Sequence, residues 1–386
     1  MMNVVHIHNF YQQSPSGEND AVNKTVMELM NFEKTELDVS LISFSHSKGL
    51  LRFIDFGKIF WNFFTGKTLF DKKNLDLYSR AEIVHLHNIL PFCGRNIISD
   101  SQKKGKKIVL TIHNSRSSCL NGSHIFESKS CFRCPASDSF LPGILRKCYR
   151  QSFIQSAVFA FMHSKVLKQY RYVDRFIVLN DFSKRSLVKM GIDDGRIKVV
   201  TTHVNRIESN ESKKCQIFFG GRLDSFKGID LAIESWISSD MFIQGWKFVI
   251  AGSEPLVGEF DWIQLESRGI QFMGLLNEDE IDLILRETAY VVVPSRTYEG
   301  MPRMISKAAA SGCKVLISDT GALADLAVHS WVHVLPLELD SWVAAFNQIS
   351  SQSAQFADHE ALNWWRKNAN ESDLAYKILE IYKNLN

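Results

Sequence analysis

The chain has 386 residues, 45% of them hydrophobic and 23% charged, a composition that suits a folded protein of about two domains and excludes disordered, collagen-like and disulfide-scaffold classes. Its 45 Lys and Arg against 42 Asp and Glu leave a net charge of only +3, but residues 1–206 carry 30 basic and 17 acidic groups (+13) while residues 207–386 carry 15 and 25 (−10). Two halves of opposite sign point to two domains with different partners.

The start MMNVVHIHNF enters a strand pattern at once, with no basic n-region and no apolar h-region, so no signal peptide is expected and the chain is assigned to the cytoplasm. No stretch approaches the roughly 18 uninterrupted apolar residues that a spanning helix requires. In that reducing compartment the 7 cysteines are expected to be thiols or metal ligands.

In chain order, strands are predicted at Asn3–His8, Asp38–Ser43, Glu82–Leu86, Lys107–Thr111, Arg175–Leu179 and Ile197–Val200, with helical patterns between most of them. Arg206–Lys214 (RIESNESKK) has a single apolar residue and reads as a linker. A second series follows at Cys215–Phe219, Lys247–Ala251, Ile270–Met273, Tyr290–Val293, Lys314–Ser318 and Val332–Leu335, and 359–386 reads as helical without a new strand. The alternation predicts an α/β protein of two Rossmann-like, doubly wound parallel-sheet domains, 1–206 and 207–358, facing a cleft, with the tail packing back on the first.

Ligands of such sheets sit beyond the carboxyl ends of the strands. Three predicted strands of the first half end in His-Asn: His8-Asn9, His87-Asn88 and His113-Asn114. These pairs are either site residues or small polar groups that close strands. The pairs His6/His8 and His85/His87 each share a strand face, where hydrogen-bonded buried histidine is a commoner outcome than a metal ligand.

In the second half, FFGGRLDSFKG at 218–228 places Gly220, Gly221, Arg222 and Lys227 at the end of a strand and the start of a helix. Bare glycines let backbone amides approach a phosphate, and the two cations add charge-assisted hydrogen bonds, so this is read as an anion site. It has neither Walker-loop spacing nor a Gly-x-Gly-x-x-Gly fingerprint. Pro294–Arg303 (PSRTYEGMPR) sets Glu299 beside a helix start, where the carboxylate can grip sugar hydroxyls while the amides approach a phosphate. Together the two motifs describe a nucleotide-sugar pocket.

With these motifs, the early loop Ser14-Pro15-Ser16-Gly17-Glu18-Asn19, Val84–Asn88, Thr111–Asn114 and Ala251-Gly252, nearly the whole chain resembles the retaining GT-B glycosyltransferases of family 4, which build bacterial polysaccharides such as O-antigen and capsule. The resemblance implies that Arg222 and Lys227 hold the donor diphosphate, with Gly221 in their loop. It implies that Glu299 holds the donor sugar, that the amides of Gly300, Met301 and Pro302 assist, that His113 is the active-site histidine, and that Gly17 lies in a loop closing over the phosphates. Two positions depart from it. The family has a second glutamate, on the ribose, where this chain has Lys307; an ammonium only donates, so Lys307 is expected to contact a phosphate or an altered nucleotide, or the protein is a weak or inactive sugar-nucleotide-binding subunit or scaffold. Thr201–Asn205 replaces the family's usual Pro-Asn-Gly-Val-Asp at the hinge.

The expected chemistry is transfer of one sugar from a nucleoside-diphosphate donor with retention. No Asp-x-Asp motif occurs, and Arg222, Lys227 and helix amides can neutralise the leaving diphosphate, so no divalent metal is expected in catalysis. The resemblance makes the basic first half the acceptor side, for a polyprenyl-diphosphate-linked or oligosaccharide acceptor. Ile54–Phe70 and the basic residues flanking Phe153–Met162 suit either an anionic membrane surface, giving peripheral attachment to the inner face of the plasma membrane, or a core of aromatics with solvated lysines. Cys119, Cys131, Cys134 and Cys148 carry one Cys-x2-Cys pair and are read as either a structural zinc site, a pattern that a family 4 subgroup shares, or four reduced thiols. Without a recognised nucleic-acid module, no nucleic-acid partner is expected.

Overall fold

A computed structural model describes residues 1–10, 17–32, 37–45, 52–127, 129–253, 256–352 and 355–385, the side chains of 17, 52–56, 58, 256 and 257 excepted. It divides into one unit of Met1–His124, Phe132–Val200 and Asp373–Asn386 and another of Ile125–Cys131 and Thr201–Ser372.

The strands of the first unit are β1 (Met2–Phe10), β2 (Leu37–Ser45), β3 (Ile83–Leu86) and β4 (Lys107–Ile112); after a two-stranded hairpin β5 (Ile125–Phe126) and β6 (Lys129–Ser130) come β7 (Arg175–Val178) and β8 (Ile197–Val199). The main six are all parallel in the order β2-β1-β3-β4-β7-β8. Its helices are α1 (Gly17–Asn31), α2 (Arg52–Thr65), α3 (Lys72–Arg80), α4 (Ile97–Lys103), α5 (Arg133–Ala136), α6 (Leu141–Leu145), α7 (Phe153–Leu167) and α8 (Asp181–Lys189). β3 is buried along its whole length, as expected of a parallel strand covered on both faces.

The second unit has β9 (Ser212–Gly220), α9 (Ile229–Ile237), β10 (Lys247–Ala251), α10 (Trp262–Glu266), β11 (Ile270–Phe272), α11 (Glu278–Glu287), β12 (Thr288–Val293) and α12 (Arg303–Ala310). It continues with β13 (Lys314–Ser318), β14 (Val332–Leu335), α13 (Leu339–Ser350), the short β15 (Gln355–Phe356) and α14 (His359–Asn368). Its order β11-β10-β9-β12-β13-β14 is that of a Rossmann sheet, so the chain reverses direction across the sheet between β9 and β12. α11 starts at a capping box: Asn277 accepts from the Glu280 amide at 3.0 Å, and the Glu280 carboxylate accepts from the Asn277 amide at 2.7 Å.

All twelve predicted strand regions are strands, and two differences from the predicted organisation carry physical information. β9 begins inside the expected linker, because Ser212 and Lys213 pair antiparallel with β15. Lys213 is buried there, its ammonium donating to the carbonyls of Leu285, Arg286 and Ser311 at 3.1, 3.0 and 2.8 Å. These carbonyls end α11 and α12, where helix geometry leaves acceptors unpaired and the dipole favours a cation. A polar pattern therefore concealed a strand. The tail is also split: α14 belongs to the second unit, and α15 (Leu374–Lys383) belongs to the first, burying Leu374, Ala375, Ile378, Ile381 and Tyr382 in a cluster with Val4, Val39, Ile83, Val109 and Ile177.

Candidate functional site

In the second unit the two predicted motifs follow β9 and β12, the strands that flank the reversal point. Glycine lets their loops meet. A Cβ at Gly228, which has φ +75°, would lie 2.0 Å from the Pro294 carbonyl oxygen, and one at Gly252 would lie 1.8 Å from that of Gly221. The Arg296 amide donates to the Phe226 carbonyl at 2.8 Å, and the Arg296 guanidinium pairs with Asp230 at 2.7 Å, tying the two loops together.

This packing brings Lys227 Nζ to 2.6 Å from Glu299 Oε2. The same carboxylate accepts from the Ser295 and Thr297 hydroxyls. Burial pushes the Glu299 carboxyl up, but the Lys227 charge and the hydrogen bonds from Lys227, Ser295 and Thr297 outweigh it and hold the group below its ordinary value. It is an ionised acceptor. Arg222 pairs with Asp224, a buried residue that also accepts from the Lys227 amide at 2.8 Å. Pro302, which has no N–H of its own, stands at the N-cap of α12, so Gly300 and Met301 lead directly into the start of that helix. The arrangement can hold an anion and a polyol side by side.

Lys307 is not open to a ligand as an unpaired cation. Its side chain is 6% exposed, pairs with Asp282 of α11 and lies 3.4 Å from Glu278, which also pairs with Arg303 at 2.6 Å. The expected contact from Lys307 to a phosphate is therefore replaced by an ionic network between α11 and α12. Sequence reading missed Asp282 and Glu278 because both look like ordinary solvated charges of a helix first turn and flank. It also missed Asp224, whose only local signal is its place three residues before Lys227 in a turn.

In the first unit the three His-Asn pairs meet where β1 and β3 adjoin, the reversal point of that sheet. His113 Nε2 is 3.0 Å from His87 Nδ1, and His87 Nε2 is 3.0 Å from His6 Nδ1. His8 Nε2 is 3.0 Å from Asn19 Oδ1, and the Asn114 amide donates to Glu18 at 3.2 Å. Glu18, His87, His113, Asn114, Arg116 and His163 line one pocket. Burial lowers the His113 pKa, against an opposing pull from the Glu18 carboxylate. Among the described residues, His8 Nδ1, the Asn9 side-chain amide, Glu18 Oε1 and His163 Nε2 are buried without a hydrogen-bond partner. Unpaired buried polar atoms at a pocket are a cost that a bound polar molecule would relieve. Gly17 opens α1, while Ser14, Pro15 and Ser16 of the expected phosphate loop lie outside the described residues.

Among the described residues, no three of the four cysteines bring their sulfurs within 4.8 Å of one another. Among the described residues the one set of three metal-ligating side chains with ligand atoms within 4.8 Å of one another is His6, His85 and His87. Cys119 donates to Asn121 at 2.9 Å, Cys148 packs against the core of the first unit, Cys134 lies in α5, and Cys131 falls in the other unit. The histidine set is hydrogen-bonded internally, as the commoner reading of such pairs holds. Cys93 and Cys313 are core residues at 0% exposure.

Residues 214–352 match the family described as glycosyl transferases group 1. No curated protein matches the chain in sequence. Among solved structures, a sucrose-phosphate synthase from Thermosynechococcus elongatus is 14% identical with a TM-score of 0.69, over 100% of this chain and 99% of that one. The lipopolysaccharide outer core galactosyltransferase WaaB is 12% identical with a TM-score of 0.62, over 100% and 99%. HepE of Anabaena, solved in complex with UDP, is 12% identical with a TM-score of 0.62, over 99% and 100%. The fold is thus GT-B, two Rossmann-like units built on parallel sheets.

Proposed function

We propose that this protein is a retaining glycosyltransferase of family 4 type that takes one sugar from a nucleoside-diphosphate donor held between the loops after β9 and β12. The observation that carries the reading is the Lys227–Glu299 pair, 2.6 Å apart at the reversal point of a unit whose sequence matches glycosyl transferases group 1. The UDP bound in the HepE structure supports a nucleotide of this kind. In this reading a donor diphosphate draws Lys227 and Arg222 from their carboxylate partners, and the released Glu299 accepts from sugar hydroxyls. Arg222, Lys227 and the backbone amides of Gly300 and Met301 then neutralise the leaving diphosphate without a divalent metal. In the first unit His113, which lines a pocket with Glu18 and Asn114, is given the role of active-site histidine, and that unit takes the acceptor. With Lys307 paired to Asp282, the ribose is assigned to other groups, and the Lys227–Glu299 pair favours an active enzyme over an inactive binding subunit.

Calorimetry with UDP and GDP, followed by hydrolysis of their sugar conjugates in the presence of chelator, tests this. Lys227→Met should weaken diphosphate binding by about 10- to 100-fold, the worth of a charge-assisted contact. Glu299→Gln should keep nucleotide affinity within about threefold and lose transfer by about 100-fold or more. Binding that neither substitution alters would defeat the donor site. Turnover only with added cation would defeat the leaving-group account, and binding with no turnover for any sugar would favour the inactive relative.

We further propose an acceptor at an anionic membrane surface, lipid-linked through a polyprenyl diphosphate and used in cell-surface polysaccharide synthesis at the inner face of the plasma membrane. Phe60, Trp61 and Phe64 of α2 are 58%, 44% and 62% exposed, and Ile154 of α7 is 73% exposed, so these side chains are not core. The Phe63 and Phe161 rings pack at a tilt with centroids 5.3 Å apart, joining α2 to α7, and Arg95 and Lys165 each lie 5.5 Å from the Phe161 ring. Exposed aromatics rimmed by cations suit an interface rich in anionic lipid. The side chains of Phe56 and Lys58 lie outside the described residues. No helix among the described residues is long and apolar enough to cross a membrane. The protein should float with phosphatidylglycerol vesicles at low salt, and substituting Phe60, Trp61 and Phe64 by Ser should abolish flotation without lowering the melting temperature. Equal flotation of the triple variant would reject the surface.

A further inference from the structure

Six buried or half-buried side chains of the first unit form one unbranched series of contacts. Thr111 Oγ1 lies 2.7 Å from His85 Nε2, and His85 Nδ1 lies 2.7 Å from the Tyr382 hydroxyl. That hydroxyl is 3.1 Å from His6 Nε2, His6 Nδ1 is 3.0 Å from His87 Nε2, and His87 Nδ1 is 3.0 Å from His113 Nε2. The backbone sets this up. His6 and His85 are register partners on β1 and β3, their rings 4.5 Å apart, and α15 lowers Tyr382 onto the same face of the sheet.

Burial keeps the rings neutral, strongly so at His6, His85 and His87. A neutral imidazole carries one N–H and one bare nitrogen, and a tyrosine hydroxyl that donates to one neighbour must accept from the other. If the series donates from the Thr111 end, Thr111 gives to His85 Nε2, His85 Nδ1–H to Tyr382, Tyr382 to His6 Nε2, His6 Nδ1–H to His87 Nε2, and His87 Nδ1–H to His113 Nε2. Every ring then has its proton on Nδ1. If it donates from the His113 end, every ring has its proton on Nε2. A mixed arrangement sets two donors or two acceptors face to face in a dry interior, which leaves both unpaired.

We infer that His6, His85, His87 and His113 share one tautomer at any moment, and that Tyr382 and Thr111 are positioning residues which, through this shared proton order, decide whether His113 offers the pocket an N–H or a lone pair at Nδ1. The coupling reaches from the far end of the sequence: a residue of the C-terminal helix sets the hydrogen-bonding sense of a residue at the end of β4. It rests on the proposed function only for what His113 meets, a hydroxyl-bearing sugar. A hydroxyl can donate or accept, and the ladder selects which.

The test reads tautomers directly and needs no turnover, so failure of the proposed activity leaves it intact. The full chain, labelled with 15N in histidine alone and assigned by single substitutions, is examined by long-range proton–nitrogen correlation at neutral pH. All four rings should show the same tautomer, Nδ1–H or Nε2–H, with a preference of about tenfold or more. Tyr382→Phe cuts the series between His85 and His6, and the preference at His113 should fall to about threefold or less while the phenyl ring keeps the packing. Thr111→Val removes the terminal hydroxyl and should lower the preference in the same direction, which keeps the test decisive if Tyr382→Phe folds poorly. Mixed tautomers in the unaltered protein would overturn the inference, as would nitrogen shifts of metal-coordinated rings at His6, His85 and His87. An unchanged His113 in both variants would remove Tyr382 and Thr111 from the role.

Discussion

Acidification from about pH 7 to about pH 5 should lower the unfolding free energy by several kcal/mol, well before any carboxylate of ordinary pKa titrates. Burial lowers His6 from 6.5 to about 3 and His163 from 6.5 to about 4, and it lowers His85, His87, His8 and His113 in the same direction. The sign follows from proton uptake. Below 6.5 the unfolded chain binds protons that the folded chain refuses, so stability is full above that value and is lost as pH falls toward the folded values. Each fully buried histidine costs about 1.4 kcal/mol per pH unit across this window, or about 2 kcal/mol each for His6 and His163 at pH 5. Urea midpoints at the two pH values measure the loss. A midpoint that does not move would mean that these rings are charged or solvated in the native state. His163→Gln should remove close to one proton from the slope, because this ring has no part in the ladder.

Lys307→Glu restores the residue that the family resemblance leads one to expect, yet it should destabilise the second unit by about 3 kcal/mol. The substitution removes the ammonium that neutralises Asp282, whose side chain is 26% exposed, and sets a third carboxylate beside it and Glu278. Arg303 remains beside Glu278 to offset part of that charge. Glu278 is 53% exposed and water screens its share, so most of the cost falls on Asp282 and the new buried glutamate. For the same reason UDP affinity should not rise in the single variant. Exchanging the pair, Lys307→Glu with Asp282→Lys, keeps the charge balance and should recover most of the stability. If nucleotide affinity then rises by about tenfold, the family's ribose contact has been rebuilt on α12. A single variant within about 0.5 kcal/mol of the parent would show that the network contributes little.

These two cases mark where sequence reading stops. The twelve strand regions were legible because fully buried parallel strands such as β12 leave continuous apolar runs, and because the turn residues between them are punctual. The loop after β9 was legible because its glycines, such as Gly228 with the Pro294 carbonyl oxygen 2.0 Å from any added Cβ, stand beside Arg222 and Lys227 at a strand end. The histidines at the ends of β3 and β4 were visible as a repeated dipeptide. Nothing local distinguishes Lys307 as a paired ion from Lys307 as a ligand contact, since Asp282 reaches it from another helix. Nor does the spacing of Cys119, Cys131, Cys134 and Cys148 decide between a zinc site and four thiols.

Sequence alone therefore determined the class of fold and where its strands lie, because periodicity, glycine and strand ends are written residue by residue. Only the tertiary structure decided which charges are neutralised, that Lys213 lies buried across two helix ends, and that Tyr382 closes a ladder of histidines from β1, β3 and the end of β4. These outcomes depend on contacts between elements far apart in the chain, where burial fixes protonation and geometry fixes the partner, and neither is encoded in any one segment.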